Sequence, residues 1–208
     1  MSDEEGAVAP LMPSAGPVRV AVLGATGCMG RHLCAAFSAE GSEVVAIARR
    51  YAPQVAAHRF LSLDVAGSTS DKLARVLTRE AVDVVVNATL GWGDELHYAN
   101  VQLVERLLGA LAKLPAPPRL VHLGTIDEYG PVPFGTSIHE DMAPAPENPY
   151  AKAKLTASRM VSTPPGTVPS TPWSCGWPTP WGRTRRWRVS SGPWRSGSAA
   201  PTRPPASS

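Results

Sequence analysis

Thirteen residues near the start of the chain, Val18–Gly30 (VRVAVLGATGCMG), limit its folding choices most. An apolar run suited to a β-strand, Val18 to Leu23, meets three glycines spaced three apart, Gly24, Gly27 and Gly30. A helical segment follows. Strand, glycine-rich turn and helix N-terminus together form the arrangement that holds a dinucleotide pyrophosphate. The glycines permit the tight turn and let backbone N–H groups approach phosphates at the positive end of the helix dipole.

The next segments repeat the theme. Cys28–Glu40 predicts a helix, with Leu33, Ala36 and Phe37 on one face, and Gly41 stops it. Glu43–Ala48 and Arg59–Leu63 predict strands, the second ending at Asp64. Thr69–Glu80 predicts a helix with Leu73, Val76 and Leu77 on one face. Val82–Asn87 predicts a fourth strand. Glu95–Leu114 predicts a long helix with Val101, Val104, Leu107, Leu108 and Leu111 as its stripe, broken by Pro115–Pro118. Arg119–Leu123 predicts a fifth strand, a Pro- and Gly-rich loop runs to Asn148, and Pro149–Val161 predicts a last helix.

Strands alternating with helices imply an α/β fold whose sheet is parallel, because every crossover is helical. The strands are apolar without alternation, as suits a sheet covered on both faces. Right-handed crossovers bring all strand C-termini to one edge. Gly24, Arg49, Asp64, Asn87 and Thr125 all follow such ends.

Charge excludes other classes. Residues 1–162 carry 14 Lys/Arg and 17 Asp/Glu, while residues 163–208 carry six Arg and no acid. The body is mildly acidic and offers no basic stripe for nucleic acid. Cys28, Cys34 and Cys175 fit neither a disulfide framework nor a metal spacing, which suits a reducing cytoplasm. His32, His58, His97, His122 and His139 show no ligand spacing, so no metal is expected. No apolar run approaches the ~18 residues of a membrane span. The opening MSDEEGAVAP lacks the marks of a signal peptide, and residues 1–17 are expected to be a disordered leader.

Tyr150 and Lys154 stand four apart at the start of the last helix, on one face. A cation beside a phenol favours phenolate and lowers a pKa that is ~10 when unperturbed. Such a tyrosine can pass a proton to or from a sugar or alcohol oxygen. Thr125, at the end of the fifth strand, could hold the same oxygen. Trp92, in the LGWGDE segment after the fourth strand, could touch substrate or cofactor or pack within its loop.

Residues 18–161 resemble the extended short-chain dehydrogenase/reductase superfamily, the NAD(P)-dependent nucleotide-sugar epimerases, dehydratases and ketoreductases. The matching pieces are GATGCMG, Leu63–Asp64, VVNAT at 85–89, Asn100–Val101, HLGTIDEYG at 122–130 and YAKAK at 150–154. The resemblance implies a Rossmann-type, doubly wound parallel sheet binding NAD(P) over 18–161, with Thr125, Tyr150 and Lys154 as catalytic residues. Cofactor contacts would come from Gly24, Thr26, Gly27, Cys28, Met29 and Gly30 of the turn, and from Asn100. Asp64 and Val65 would flank the adenine, Ala88 and Thr89 the pyrophosphate and ribose, and Lys154, beside Tyr150, the nicotinamide ribose. A homodimer through the long helices is implied as well.

Two departures sharpen this. NAD-preferring members carry an acid at the end of the second strand, where this chain has Ala48-Arg49-Arg50. Arginine there suits a 2′-phosphate through a charge-assisted fork, so Arg49 and Arg50 predict NADP, with NAD as the alternative. The 4,6-dehydratases resemble TDEVYG, and their adjacent Asp and Glu drive elimination of water. Counting back from Tyr129, Ile126 takes the Asp place and Asp127 the Glu place, so the elimination pair is incomplete.

The character changes at residue 163. The last 46 residues hold ten Pro, five Trp and six Arg, with no Leu, Ile, Phe, Asp, Glu or Lys. Such a segment cannot bury a regular apolar face and predicts a disordered tail over 162–208. Apart from Val168 and Val189, every residue type in it has C or G as the middle codon base, as a frameshift in a GC-rich gene produces. Read one base earlier, Trp173–Gly182 (WSCGWPTPWG) can encode VVLRLANPVG. That resembles the sixth-strand pattern LRxxNxxG of the same superfamily. A frameshift near Val161–Thr163 is therefore expected, with the sheet truncated before its substrate domain and its edge left open to aggregation. The 208-residue chain is then expected to be poorly stable and largely inactive. The coding DNA beyond codon 155 decides this.

The function expected of the parent is reduction of a 4-keto group on a nucleotide-linked (deoxy)hexose. The alternatives are a nucleotide-sugar 4-epimerase and a non-catalytic NAD(P)-binding regulator. A third, nucleic-acid binding through the Trp/Arg tail, predicts salt-dependent binding lost on deleting 163–208.

Overall fold

A computed structural model describes residues 16–139 and 141–163. The expected leader and tail lie almost wholly outside the described residues. Five strands form one parallel sheet: β1 (Arg19–Leu23), β2 (Glu43–Ala48), β3 (Arg59–Ser62), β4 (Val84–Asn87) and β5 (Arg119–His122). Their order is β3-β2-β1-β4-β5, so the chain reverses direction across the sheet between β1 and β4. That reversal parts the neighbouring crossovers and opens a crevice at the strand C-termini.

Successive residues of a strand point to opposite faces of the sheet. In β1, Val20 and Val22 face one layer and Ala21 and Leu23 the other. The first layer is built on α1 (Cys28–Ala39), through Cys34 and Leu33. The second is built on α2 (Ser70–Arg79), α3 (Leu103–Leu111) and α4 (Pro149–Ser162), through Leu73, Leu77, Val104, Leu107 and Ala157. Inner strands β1, β2 and β4 are buried almost end to end, whereas β3 and β5, at the edges of the described sheet, are only half-buried.

Helix limits follow local chemistry. Thr69 caps α2 by accepting from the Lys72 N–H at 3.3 Å, and Asn148 caps α4 by accepting from the Ala151 N–H at 2.8 Å. Glu40 ends α1, and Gly41 leaves it with φ +81°. Every expected strand and helix is present with ends shifted by a residue or two, except that the helix expected over Glu95–Leu114 stops at Leu111 and is regular only from Leu103.

The long helix differs in one respect. Before α3 it opens into a π-turn over Tyr98–Gln102. Asn100 holds that turn: its buried amide Nδ2 donates to the Gly91 carbonyl at 3.0 Å and to Leu96 at 2.8 Å. A π-turn adds a residue to the helix circumference and is common beside functional sites. The apolar stripe, counted at 3.6 residues per turn, does not reveal it.

Candidate active site

At the β1/β4 crevice lies a cleft of about 440 Å³, within the range of small-molecule sites. Gly24, Thr26, Gly27, Cys28 and Met29 of the turn line it, together with Arg49, Arg50, Asp64, Val65, Ala88 and Thr89. Gly30 and Asn100 do not line it. Gly30 serves close packing instead: a Cβ there would overlap the Gly24 carbonyl and lie 2.8 Å from the Ala25 Cα. Asn100 is turned to the carbonyls of its own helix entrance. Tyr98, Ala99, Leu103 and Leu90 also line the cleft and were not expected. The π-turn supplies two of these, Tyr98 and Ala99, so the 3.6-residue period carried no signal for them.

The cleft fits a dinucleotide on its own geometry. Gly24 has φ +75°, and a Cβ on it would stand 2.9 Å from the Ala88 carbonyl. β1 and β4 therefore approach more closely than any side chain permits, and the backbone is bare where a pyrophosphate would lie. Asp64 is fixed on the β3 side: its Oδ2 accepts from the Tyr98 hydroxyl at 2.7 Å and its Oδ1 from the Gly67 N–H at 3.2 Å. Asn87 Oδ1 accepts from the Thr89 hydroxyl at 2.6 Å, which settles the chain after β4. Arg49 donates from both Nη atoms to Glu95, at 2.5 and 2.9 Å.

Tyr150 sits at the N-terminus of α4. Its ring stacks on Trp92, with centroids 4.3 Å apart and planes at 29°. The Thr125 hydroxyl lies near enough to the phenol to favour its ionised form. Thr125 is itself fixed by a capping box. Its N–H donates to Glu128 Oε1 at 3.0 Å, and the same oxygen accepts from Ser158 of α4 at 3.0 Å. The buried Glu128 thus ties the loop after β5 to the helix that carries Tyr150 and Lys154.

The electrostatics differ from the sequence expectation. Burial raises the Tyr150 pKa above 10, the Thr125 hydroxyl opposes this, and the Asp127 and Glu128 carboxylates reinforce it. The lowering expected from Lys154 is not observed. Lys154 is only 3% exposed, and burial lowers its own pKa while Glu128 supports its charge. The Lys154 charge acts instead on His122 of β5.

Behind the pair, Asn87 Nδ2 donates to His122 Nδ1 at 3.0 Å, joining β4 to β5. Burial, then the Lys154 charge, pushes the His122 pKa down from 6.5 to about 4. Its Nε2 is buried without a partner among the described residues. An unfolded chain takes up this proton below pH 6.5 and the fold refuses it until about pH 4. Stability should therefore fall by roughly 3 kcal/mol as pH drops through that window and level off below it. Urea titrations across the window should show this loss in the wild type and not in His122→Gln, whose amide oxygen can still accept from Asn87. Equal pH dependence in both proteins would remove His122 as the cause.

With this geometry in place, known proteins can be set beside it. A sequence profile described as the NAD dependent epimerase/dehydratase family matches residues 20–163. A dTDP-6-deoxy-L-talose 4-dehydrogenase (NAD(P)(+)) from Kitasatospora kifunensis is 45% identical over 153 residues, covering 72% of this chain and 48% of that protein. The chain thus spans about half the length of this curated relative. Among solved structures, the Thermus thermophilus UDP-glucose 4-epimerase complex with NAD matches at TM-score 0.61 and 23% identity, over 70% of this chain and 50% of that one. The dTDP-glucose 4,6-dehydratase of Bacillus anthracis in complex with NAD matches at TM-score 0.61 and 20% identity, over 70% and 49%. At these identities the structures establish a shared fold. The profile spans the sheet, the cleft and the Tyr150 helix together, and on that ground the chain belongs to the NAD-dependent epimerase/dehydratase family.

Proposed function

We propose that the chain carries the cofactor and proton-transfer half of a nucleotide-sugar 4-ketoreductase that prefers NADPH. One observation carries this reading: a phenol stacked on Trp92 and set beside Thr125, whose pKa burial raises above its ordinary 10. Such a group is set to give a proton, as reduction of a ketone requires. A nicotinamide bound in the cleft supplies the hydride.

The chain's own residues have separate tasks. Tyr150 holds a proton on its Oη and delivers it to the sugar C4 oxygen. Thr125 bonds the same oxygen and orients it. Lys154 keeps a positive charge one helix turn away and binds the nicotinamide ribose. Gly24, Thr26, Gly27, Cys28 and Met29 cradle the pyrophosphate, and Asp64 and Val65 flank the adenine. Arg49 and Arg50, with no acid at the end of β2, favour a 2′-phosphate. The relative's name places its chemistry at C4 of a dTDP-deoxysugar and its cofactor as either NAD(P), which supports this reading. Ile126, an exposed apolar residue at the place of a dehydratase acid, argues against elimination. A soluble cytoplasmic homodimer belongs to the same proposal. So does the shifted frame of the C-terminal segment, which makes the activity of the 208-residue form weak.

The deciding assay supplies a nucleotide-linked 4-keto-6-deoxyhexose with NADPH or NADH. Net oxidation of the nicotinamide, faster with NADPH, is expected. Tightly retained NAD with C4 inversion and no net consumption would replace the reductase by an epimerase. Equal or better turnover with NADH would refute the NADP preference.

A further inference from the structure

The fork of Arg49 is already engaged. Glu95, in the short turn Gly93–Glu95 that follows β4, accepts from both Nη atoms at 2.5 and 2.9 Å. This bidentate geometry is the one an arginine offers to a phosphate. Bonding with Glu95 raises the Arg49 pKa and lowers that of Glu95, and the Arg50 charge also acts on Glu95. Arg49 lines the cleft at its β2 end, so the carboxylate sits where a 2′-phosphate would dock. About half of each side chain is exposed, so solvent screens the pair and exchange is cheap.

We propose that Glu95 is a cofactor-specificity residue: it fills the Arg49 fork, must leave it when a 2′-phosphate binds, and so narrows discrimination between NADPH and NADH. This rests on the assignment of Arg49 to the 2′-phosphate in the proposed function. An incoming phosphate dianion outcompetes a single carboxylate for a guanidinium, but it must first free the fork and then tolerate a displaced negative charge nearby. A cofactor with a free 2′-hydroxyl meets neither cost. Removing the carboxylate should therefore help one cofactor and leave the other unchanged.

The test uses the full chain and two probes that differ only in the 2′-phosphate, adenosine 2′,5′-bisphosphate and 5′-AMP, titrated by calorimetry at low salt. Glu95→Gln is expected to tighten the bisphosphate about three- to tenfold and to leave 5′-AMP within about twofold. Glu95→Ala, which cannot bond Arg49, should do the same, and thermal melts confirm that both fold. Arg49→Gln should weaken the bisphosphate about tenfold, and adding Glu95→Gln to it should have no further effect, since Glu95 acts through Arg49. A normal Arg49 effect with a silent or weakening Glu95 substitution overturns this proposal alone. So does a Glu95 effect that is equal on 5′-AMP or that persists without Arg49. An Arg49→Gln protein that binds the bisphosphate normally removes the 2′-phosphate assignment, and this proposal falls with it.

Discussion

Gly30→Ala should destabilise the fold by about 3 kcal/mol or more and abolish binding of adenine dinucleotides. Its added Cβ would run into the Gly24 carbonyl and the Ala25 Cα, both backbone. A flexible side chain could move aside, but a strand end and a helix start can separate only by lifting α1 off β1. That movement would open the layer formed by Val20, Val22 and Cys34 and displace the turn facing the cleft. Gly41→Ala is the matched control. Its Cβ would meet nothing within 4 Å, and only the φ of +81° opposes it. A cost of about 1 kcal/mol with unchanged nucleotide binding is expected there. Thermal unfolding and 5′-AMP titration of the two variants check this. Similar losses in both would mean that the close approach at Gly30 does not hold the turn.

Tyr150→Phe should lower net ketone reduction by about 10²- to 10⁴-fold while leaving cofactor affinity within about twofold. The ring remains, so the stack on Trp92 persists, and only the phenolic hydroxyl and its proton are lost. The pH profile carries the sign. Since burial holds this phenol above its ordinary 10, the reducing direction should keep its rate through neutral and mildly alkaline pH and fall only as the phenol ionises. The oxidising direction needs phenolate and should rise over the same range. Stopped-flow nicotinamide traces in both directions check this. A Phe variant within tenfold of wild type would take the proton-donor role away from Tyr150.

Much of the site was legible because it is local. Gly24, Gly27 and Gly30 are spaced by the turn they make, and Tyr150 and Lys154 by the helix they share. The arginines after β2 and the residues after β3 and β4 were placed by one inference: a parallel sheet gathers its strand ends at one edge. All of these line a single cleft, apart from Gly30 and the Thr125, Tyr150 and Lys154 group. Contacts between segments distant in sequence were not legible. Trp92 covering Tyr150 and Glu95 filling Arg49 join a turn after β4 to α4 and to β2. No periodicity records them. Glu128, one position before Tyr129, reads as a surface acid, yet it is buried and binds Thr125 to Ser158.

The sequence by itself determined the parallel α/β sheet and which candidate residues follow its strand ends. Apolar periodicity, glycine spacing and helix spacing are properties of neighbouring residues, and they survive without the fold. The tertiary structure decided the chemical state of those residues. Burial raises the Tyr150 pKa, where helix spacing to Lys154 alone predicts a lowering. A π-turn decides which face of the long helix meets the cleft, and a carboxylate 46 residues away decides what Arg49 holds before any ligand arrives. Desolvation and long-range pairing depend on what the folded chain packs against each group, and that is fixed only when the layers close.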